Sequence, residues 1–169
     1  MRKLFASLIQ NNLKENPNLF LLTADLGFGL FNDFRHNFPK QYHNVGAAEQ
    51  LLIGAGIGLA NEGKIAVCYS ITPFLICRPY EFIRNYIDYE NTPVKLVGAG
   101  RDRDYSHDGI SHWAEDDEAI LSNFKNIQVY KPKTDKELID CFPEFLSNKN
   151  PQTNKTQCPH TRMMGAIYT

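Results

Sequence analysis

Apolar residues recur along the chain with two alternating periods. Short runs rich in β-branched and aromatic residues, NLFLLTAD at 18–25, KIAVCYSI at 64–71, PVKLVGAG at 93–100 and NIQVYKP at 126–132, read as strands. Between them lie stretches with apolar positions at helical spacing: AAEQLLIGAGIGLAN at 47–61, YEFIRNYIDYE at 80–90 behind Pro79, EDDEAILSNF at 115–124, and DKELIDCFPEFL at 135–146, interrupted by Pro143. Such alternation predicts an α/β chain, one three-layer domain over 1–147 with a mostly parallel sheet flanked by helices. The remaining stretch, 148–169, lacks an apolar strand and is expected to be a flexible tail. Ligands of such sheets sit beyond the carboxyl ends of the strands, which directs attention to the segments after Thr23, Ser70 and Gly98 and to the long loop at 100–113.

Composition narrows the setting. A chain of 169 residues with 43% hydrophobic content suffices for one compact core. A net charge of -1, with Lys and Arg scattered, offers no electrostatic footprint for nucleic acid or an anionic membrane. Four cysteines, Cys68, Cys77, Cys141 and Cys158, form neither a CxxC pair nor a disulfide scaffold, and the N-terminal segment turns polar after a short apolar run. No apolar run approaches the roughly 20 residues that span a bilayer. A reduced, cytoplasmic protein is expected.

Candidate chemistry centres on one carboxylate. The glycines of GAGIGLA are spaced GxGxG, and Leu59 stands where a dinucleotide fingerprint requires its third glycine. They also lie inside a helical run, so Gly54, Gly56 and Gly58 read as a thin helix face for close packing, with Gly63 in the left-handed position that ends the helix. Glu49 falls in the first turn of that helix among small residues. From the residues alone two readings stand: an exposed first-turn Glu complementing the helix dipole, or a buried carboxylate that a ligand requires.

Several separated segments then carry a resemblance: TADLGFG at 23–29, NVGAAEQLLIGAGIGLANEG at 44–63, YSITPFLICRPYEFIR at 69–84, HDGISHWAEDD at 107–117 and NIQVYKP. In order and spacing, over about residues 1–147, the chain resembles the pyrimidine-binding domain of the transketolase-like thiamine diphosphate enzymes. Transketolase and deoxyxylulose-phosphate synthase are the nearest forms, and the beta subunits of 2-oxoacid dehydrogenases are more distant. The resemblance implies that Glu49 hydrogen-bonds N1′ of the cofactor's aminopyrimidine ring, favouring the 4′-imino tautomer that takes the proton from thiazolium C2. An apolar surround would raise the carboxyl's proton affinity for this role.

The resemblance also implies cofactor contacts from Asp25, Thr72, Phe74, Leu75 and Arg78. Family members place aromatic rings three residues apart on the pyrimidine pocket. Aligned through Arg78, those positions are Thr72 and Leu75, with Phe74 adjacent and able to turn inward if Pro73 shifts the register. Leu75 would cover the ring by apolar contact without offset stacking, worth about 0.5–1.5 kcal/mol. His112 matches the family histidine beside the reactive carbon, in catalytic and substrate-binding roles, and Arg101 matches an arginine directed at substrate, suited to a phosphate or carboxylate by its bidentate fork. The adjacent Ser106, His107 and Asp108 do not make a hydrolase triad, because consecutive side chains do not normally turn onto one another as a relay. His107 and His112 lack a third ligand, so no metal site is expected.

Family members hold the diphosphate and Mg²⁺ on a separate domain with a GDG motif followed by Asn, and no GDG occurs here. The expectation is a pyrimidine-binding subunit of a split transketolase-like enzyme, homodimeric, with a separate subunit carrying the diphosphate domain and most of the Mg²⁺ contacts. Its thiamine diphosphate would move a two-carbon ketol unit between sugars or sugar phosphates. The alternatives are a non-catalytic dimerising or regulatory remnant, and a beta-type subunit of a 2-oxoacid decarboxylase or dehydrogenase.

Overall fold

The computed structural model describes residues 1–147. Helix α1 (Arg2–Glu15) precedes strand β1 (Leu19–Thr23), a short helix α2 (Phe34–Asn37) and strand β2 (Tyr42–Asn44). Helix α3 (Glu49–Asn61) leads to β3 (Ile65–Ile71), directly followed by α4 (Thr72–Cys77) and by α5 (Tyr80–Phe82), which continues as a π-helix (Ile83–Tyr89). Strand β4 (Lys95–Ala99), two 3₁₀ turns (Ser106–Asp108 and Ile110–His112), α6 (Asp117–Leu121) and α7 (Asp135–Leu146) complete the described chain. The strands form one parallel sheet in the order β2-β1-β3-β4, with Leu21 opposite Val67 and Ser70 opposite Gly98.

Period-two alternation splits the strand residues between two cores, which makes the domain three layers deep. Leu21, Tyr69 and Val97 face α1 and α7, where Phe5, Ile9, Leu138, Phe142 and Phe145 close the first core. Leu22, Cys68 and Leu96 face the other way, against Leu52, Ile53 and Ile57 of α3, Leu75 and Ile76 of α4, and Ile83 and Ile87 of the π-helix. Close approach of α3 depends on Gly56, since a Cβ there would sit 2.6 Å from the Cys68 sulfur and 3.2 Å from a Val94 methyl. Gly54 and Gly58 have no such need: a Cβ on Gly54 would make an ordinary contact with Phe82, and one on Gly58 would meet nothing within 4 Å. Gly63 lies at φ 74°, in the left-handed region expected of it.

Three sequence expectations are corrected, and one helix forms where none was predicted. The N-terminal segment forms α1, whose buried Phe5, Ala6, Ile9 and Leu13 fall at helical spacing inside an otherwise polar stretch. The segment 126–132 builds no strand of the sheet among the described residues, although it buries Tyr130 against Phe145. The helix expected at 115–124 narrows to five residues. Helix α7 runs through Pro143, whose lost N–H falls on an exposed face near the helix end, where water can serve the freed carbonyl. The reading of 148–169 as a tail lies outside the described residues.

Candidate functional site

The carboxyl ends of the strands converge, and two side chains, Asn44 and Thr72, satisfy backbone there. Asn44, at the end of β2, accepts N–H bonds from Asp25 and Gly46 on its Oδ1, both at 2.9 Å, which ties the β1 exit to the turn before α3. Asp25 itself sits at φ 49° with its side chain exposed. At the end of β3, Thr72 is buried and its hydroxyl donates to the carbonyls of Gly100 at 2.6 Å and Ala99 at 3.2 Å. Gly98 allows this, because a Cβ there would lie 2.5 Å from the Thr72 hydroxyl oxygen and 3.3 Å from its Cα.

Glu49 opens α3 against this edge. It is 3% exposed, which excludes the solvent-facing dipole partner as the whole account. Its surroundings are not simply apolar either. Ser70 donates its hydroxyl to Oε1 at 3.1 Å, and Arg78 Nη1 donates to Oε2 at 2.7 Å. The sequence expectation of a carboxyl in an apolar surround is therefore corrected: the buried charge is held by an ion pair and a hydrogen bond, which offset its desolvation.

Arg78 reaches Glu49 across the ring of Phe74, its guanidinium carbon 3.6 Å from the ring centroid. The other contact of that ring is His112, edge to face with centroids 4.7 Å apart, and His112 Nδ1 lies 3.0 Å from the Ser111 hydroxyl. Glu49, Ser70, Arg78, Phe74 and His112 thus form one chain of contacts. The register of α4 turns Phe74, not Leu75, toward it. Leu75 is 1% exposed and packed in the core beside α3, so it offers no free face to a ring. Cys77, next to Arg78, is pushed up by desolvation and secondarily by the Asp116 carboxylate, which keeps the thiol protonated at neutral pH.

Two loop positions named in the sequence bond as follows. Arg101 is turned away from this constellation: its guanidinium donates to the Pro132 carbonyl, and its backbone N–H bonds Asp104 at 3.0 Å. His107 and Asp108 do touch, at 3.2 Å on a 3₁₀ turn, although both are exposed and Ser106 takes no part. Among the described residues no three or more His, Cys, Asp or Glu gather as a metal-binding group, Cys68, Cys77 and Cys141 are free thiols, and no helix is long and apolar enough to cross a membrane.

Sequence reasoning placed no role on Ser70 or Asn44. The signal for Ser70 was there: a serine near the carboxyl end of the apolar run IAVCYSI. Asn44 carried no such contrast, because its partners are backbone groups brought together only by the fold.

A parallel sheet with a buried, paired carboxylate and an aromatic shelf at its carboxyl edge marks a ligand-binding α/β domain. The chain belongs to the transketolase pyrimidine-binding domain family, whose profile matches residues 1–152. A subunit of the apulose-4-phosphate transketolase of Actinobacillus succinogenes is 39% identical over 104 residues, covering 62% of this chain and 33% of the relative. A putative transketolase C-terminal section of Methanocaldococcus jannaschii is 36% identical over 133 residues, covering 78% of this chain and 42% of the relative. Among solved structures, a split-gene transketolase described as an inactive beta4 tetramer superposes with a TM-score of 0.75 at 27% identity, over 99% of this chain and 49% of that one. The chain therefore spans half or less of the length of these relatives.

Proposed function

We propose that this chain supplies the pyrimidine side of a thiamine diphosphate site in a split transketolase-like enzyme. In this reading the enzyme moves a two-carbon ketol unit between sugars or sugar phosphates, and a separate subunit brings the domain for the diphosphate and Mg²⁺. The observation that carries the reading is Glu49: a carboxylate 3% exposed, at the carboxyl edge of the sheet, in the first turn of a helix. Its support from relatives is their description as one subunit of a transketolase, a C-terminal section and a split-gene transketolase.

The donor set fits an aminopyrimidine. Glu49 offers a carboxyl to a ring nitrogen, Ser70 fixes that carboxyl's orientation, and Phe74 provides a flat shelf. Bound thiamine diphosphate supplies a carbon nucleophile and electron sink that no side chain can replace. Glu49 holds or moves the proton at the ring nitrogen. Asp25 and Thr72 shape the rim, Thr72 through the backbone of 99–100 that it holds. His112, whose ring lies against Phe74, would hydrogen-bond a substrate oxygen or relay a proton. Arg101 would have to leave the Pro132 carbonyl to meet a substrate anion.

The test is proton exchange at thiazolium C2 in the assembled enzyme. Glu49→Gln keeps the side chain's size and cannot carry the proton, so exchange should fall about 10²- to 10⁴-fold while subunit association changes little. Exchange at the wild-type rate would remove Glu49 from the mechanism and leave it as Arg78's structural partner.

A further inference from the structure

The Glu49–Phe74 constellation already holds a flat donor group, and it belongs to the protein. Arg78 occupies both positions that the proposed site assigns to an aminopyrimidine: a planar group on Phe74, and a nitrogen sharing a proton with the Glu49 carboxyl, as the ring nitrogen does in its protonated form. Its guanidinium carbon is 3.6 Å from the ring centroid, and its Nη1 is 2.7 Å from Oε2. Guanidinium and a ring-protonated aminopyrimidine are alike in the relevant chemistry, both planar, delocalised and able to present an N–H to a carboxylate. The remaining approaches are taken, since Ser70 holds Oε1 and His112 stands edge-on to Phe74.

We propose that Arg78 is a placeholder: it fills the pyrimidine slot of the ligand-free chain and must swing out before a ring can stack on Phe74 and reach Glu49. The inference rests on the pyrimidine-site reading above and adds a gate to it. The geometry suits a gate. Glu49 is buried, with 2% of its side chain exposed, and it keeps the Ser70 hydroxyl on Oε1 when Arg78 leaves. Arg78 is 45% exposed, so its head can exchange the carboxylate for water at modest cost. Its backbone carbonyl accepts from Gln50 Nε2 at 3.5 Å, and rotation of the side chain alone can take the head off Glu49. The motion is confined to the side-chain torsions, and ligand affinity is lowered by the fraction of chains in which the slot is open.

The full chain is titrated with the bare fragment 4-amino-5-hydroxymethyl-2-methylpyrimidine by ligand-observed NMR, with folding of each variant checked by circular dichroism. A slot closed nine times in ten predicts that Arg78→Ala binds the fragment about tenfold tighter than the wild type. Arg78→Lys keeps a cation for Glu49, guarding against misfolding, but has no plane to stack, and should fall between the two. Millimolar methylguanidinium should compete with the fragment on Arg78→Ala and have little effect on the wild type. If both variants bind as weakly as the wild type or more weakly while Glu49→Gln abolishes binding, the pyrimidine site stands and the placeholder is overturned. If no variant binds the fragment at all, the site reading falls and the placeholder falls with it.

Discussion

Glu49 works at the residue scale through its neighbours. A lone carboxylate at 3% exposure would be expensive, and the ion pair to Arg78 with the Ser70 hydroxyl makes it tolerable. The substrate side is more open to test, since His112 contacts the Phe74 ring while Arg101 is engaged at the Pro132 carbonyl. In the assembled enzyme, His112→Ala should bind cofactor normally and lose about 10²-fold or more in turnover. Arg101→Ala should also bind cofactor normally, and steady-state kinetics should show a larger loss for phosphorylated than for unphosphorylated sugars; equal losses would exclude a phosphate contact. Glu49 was legible in the sequence as a charge among small residues, and Arg78 as a matched position. Their pairing was not, because the two residues are 29 positions apart and meet only when α4 folds back beside the start of α3.

At the scale of elements, α3 separates packing glycines from free ones. Gly56→Ala should cost about 1–3 kcal/mol by overpacking, because the new methyl would meet the Cys68 sulfur at 2.6 Å and Val94 at 3.2 Å. Gly58→Ala meets nothing within 4 Å and should be neutral or stabilising by up to about 1 kcal/mol, through the better helix propensity of alanine. Thermal denaturation of the two variants checks the contrast, and similar melting temperatures would mean that the helix does not approach the sheet as described. The sequence reading treated Gly54, Gly56 and Gly58 as one face; only Gly56 is held by contact on the sheet. Strands β1, β3 and β4 were legible as short, nearly continuous apolar runs, and α3 as a longer one of small and aliphatic residues. Helix α1 was hidden by its polar residues, β2 by its length of three residues, and the segment 126–132 read as a strand although its alternation buries Tyr130 without a ladder among the described residues.

At the scale of the whole molecule, the outer face of α3 is proposed to join two copies of the chain. Leu51 is 58% exposed there, and Gly58 is exposed beside it. Leu51→Glu should shift a dimer toward monomer in sedimentation without lowering the melting temperature of the monomer, and an unchanged sedimentation profile would move the interface elsewhere. The family and the three-layer fold were both legible in the sequence, since five separated segments agree in order. The charged half of the proposed site is assigned, as a proposal, to a separate subunit. Calorimetric titration of the purified chain with thiamine diphosphate and Mg²⁺, alone and then with a subunit carrying the diphosphate domain, addresses the split-site account most directly. The account predicts no tight binding by the chain alone, because the diphosphate and its octahedral Mg²⁺ need oxygen ligands supplied elsewhere, and stoichiometric binding once that subunit is added. Tight, stoichiometric binding by this chain without a partner would contradict it.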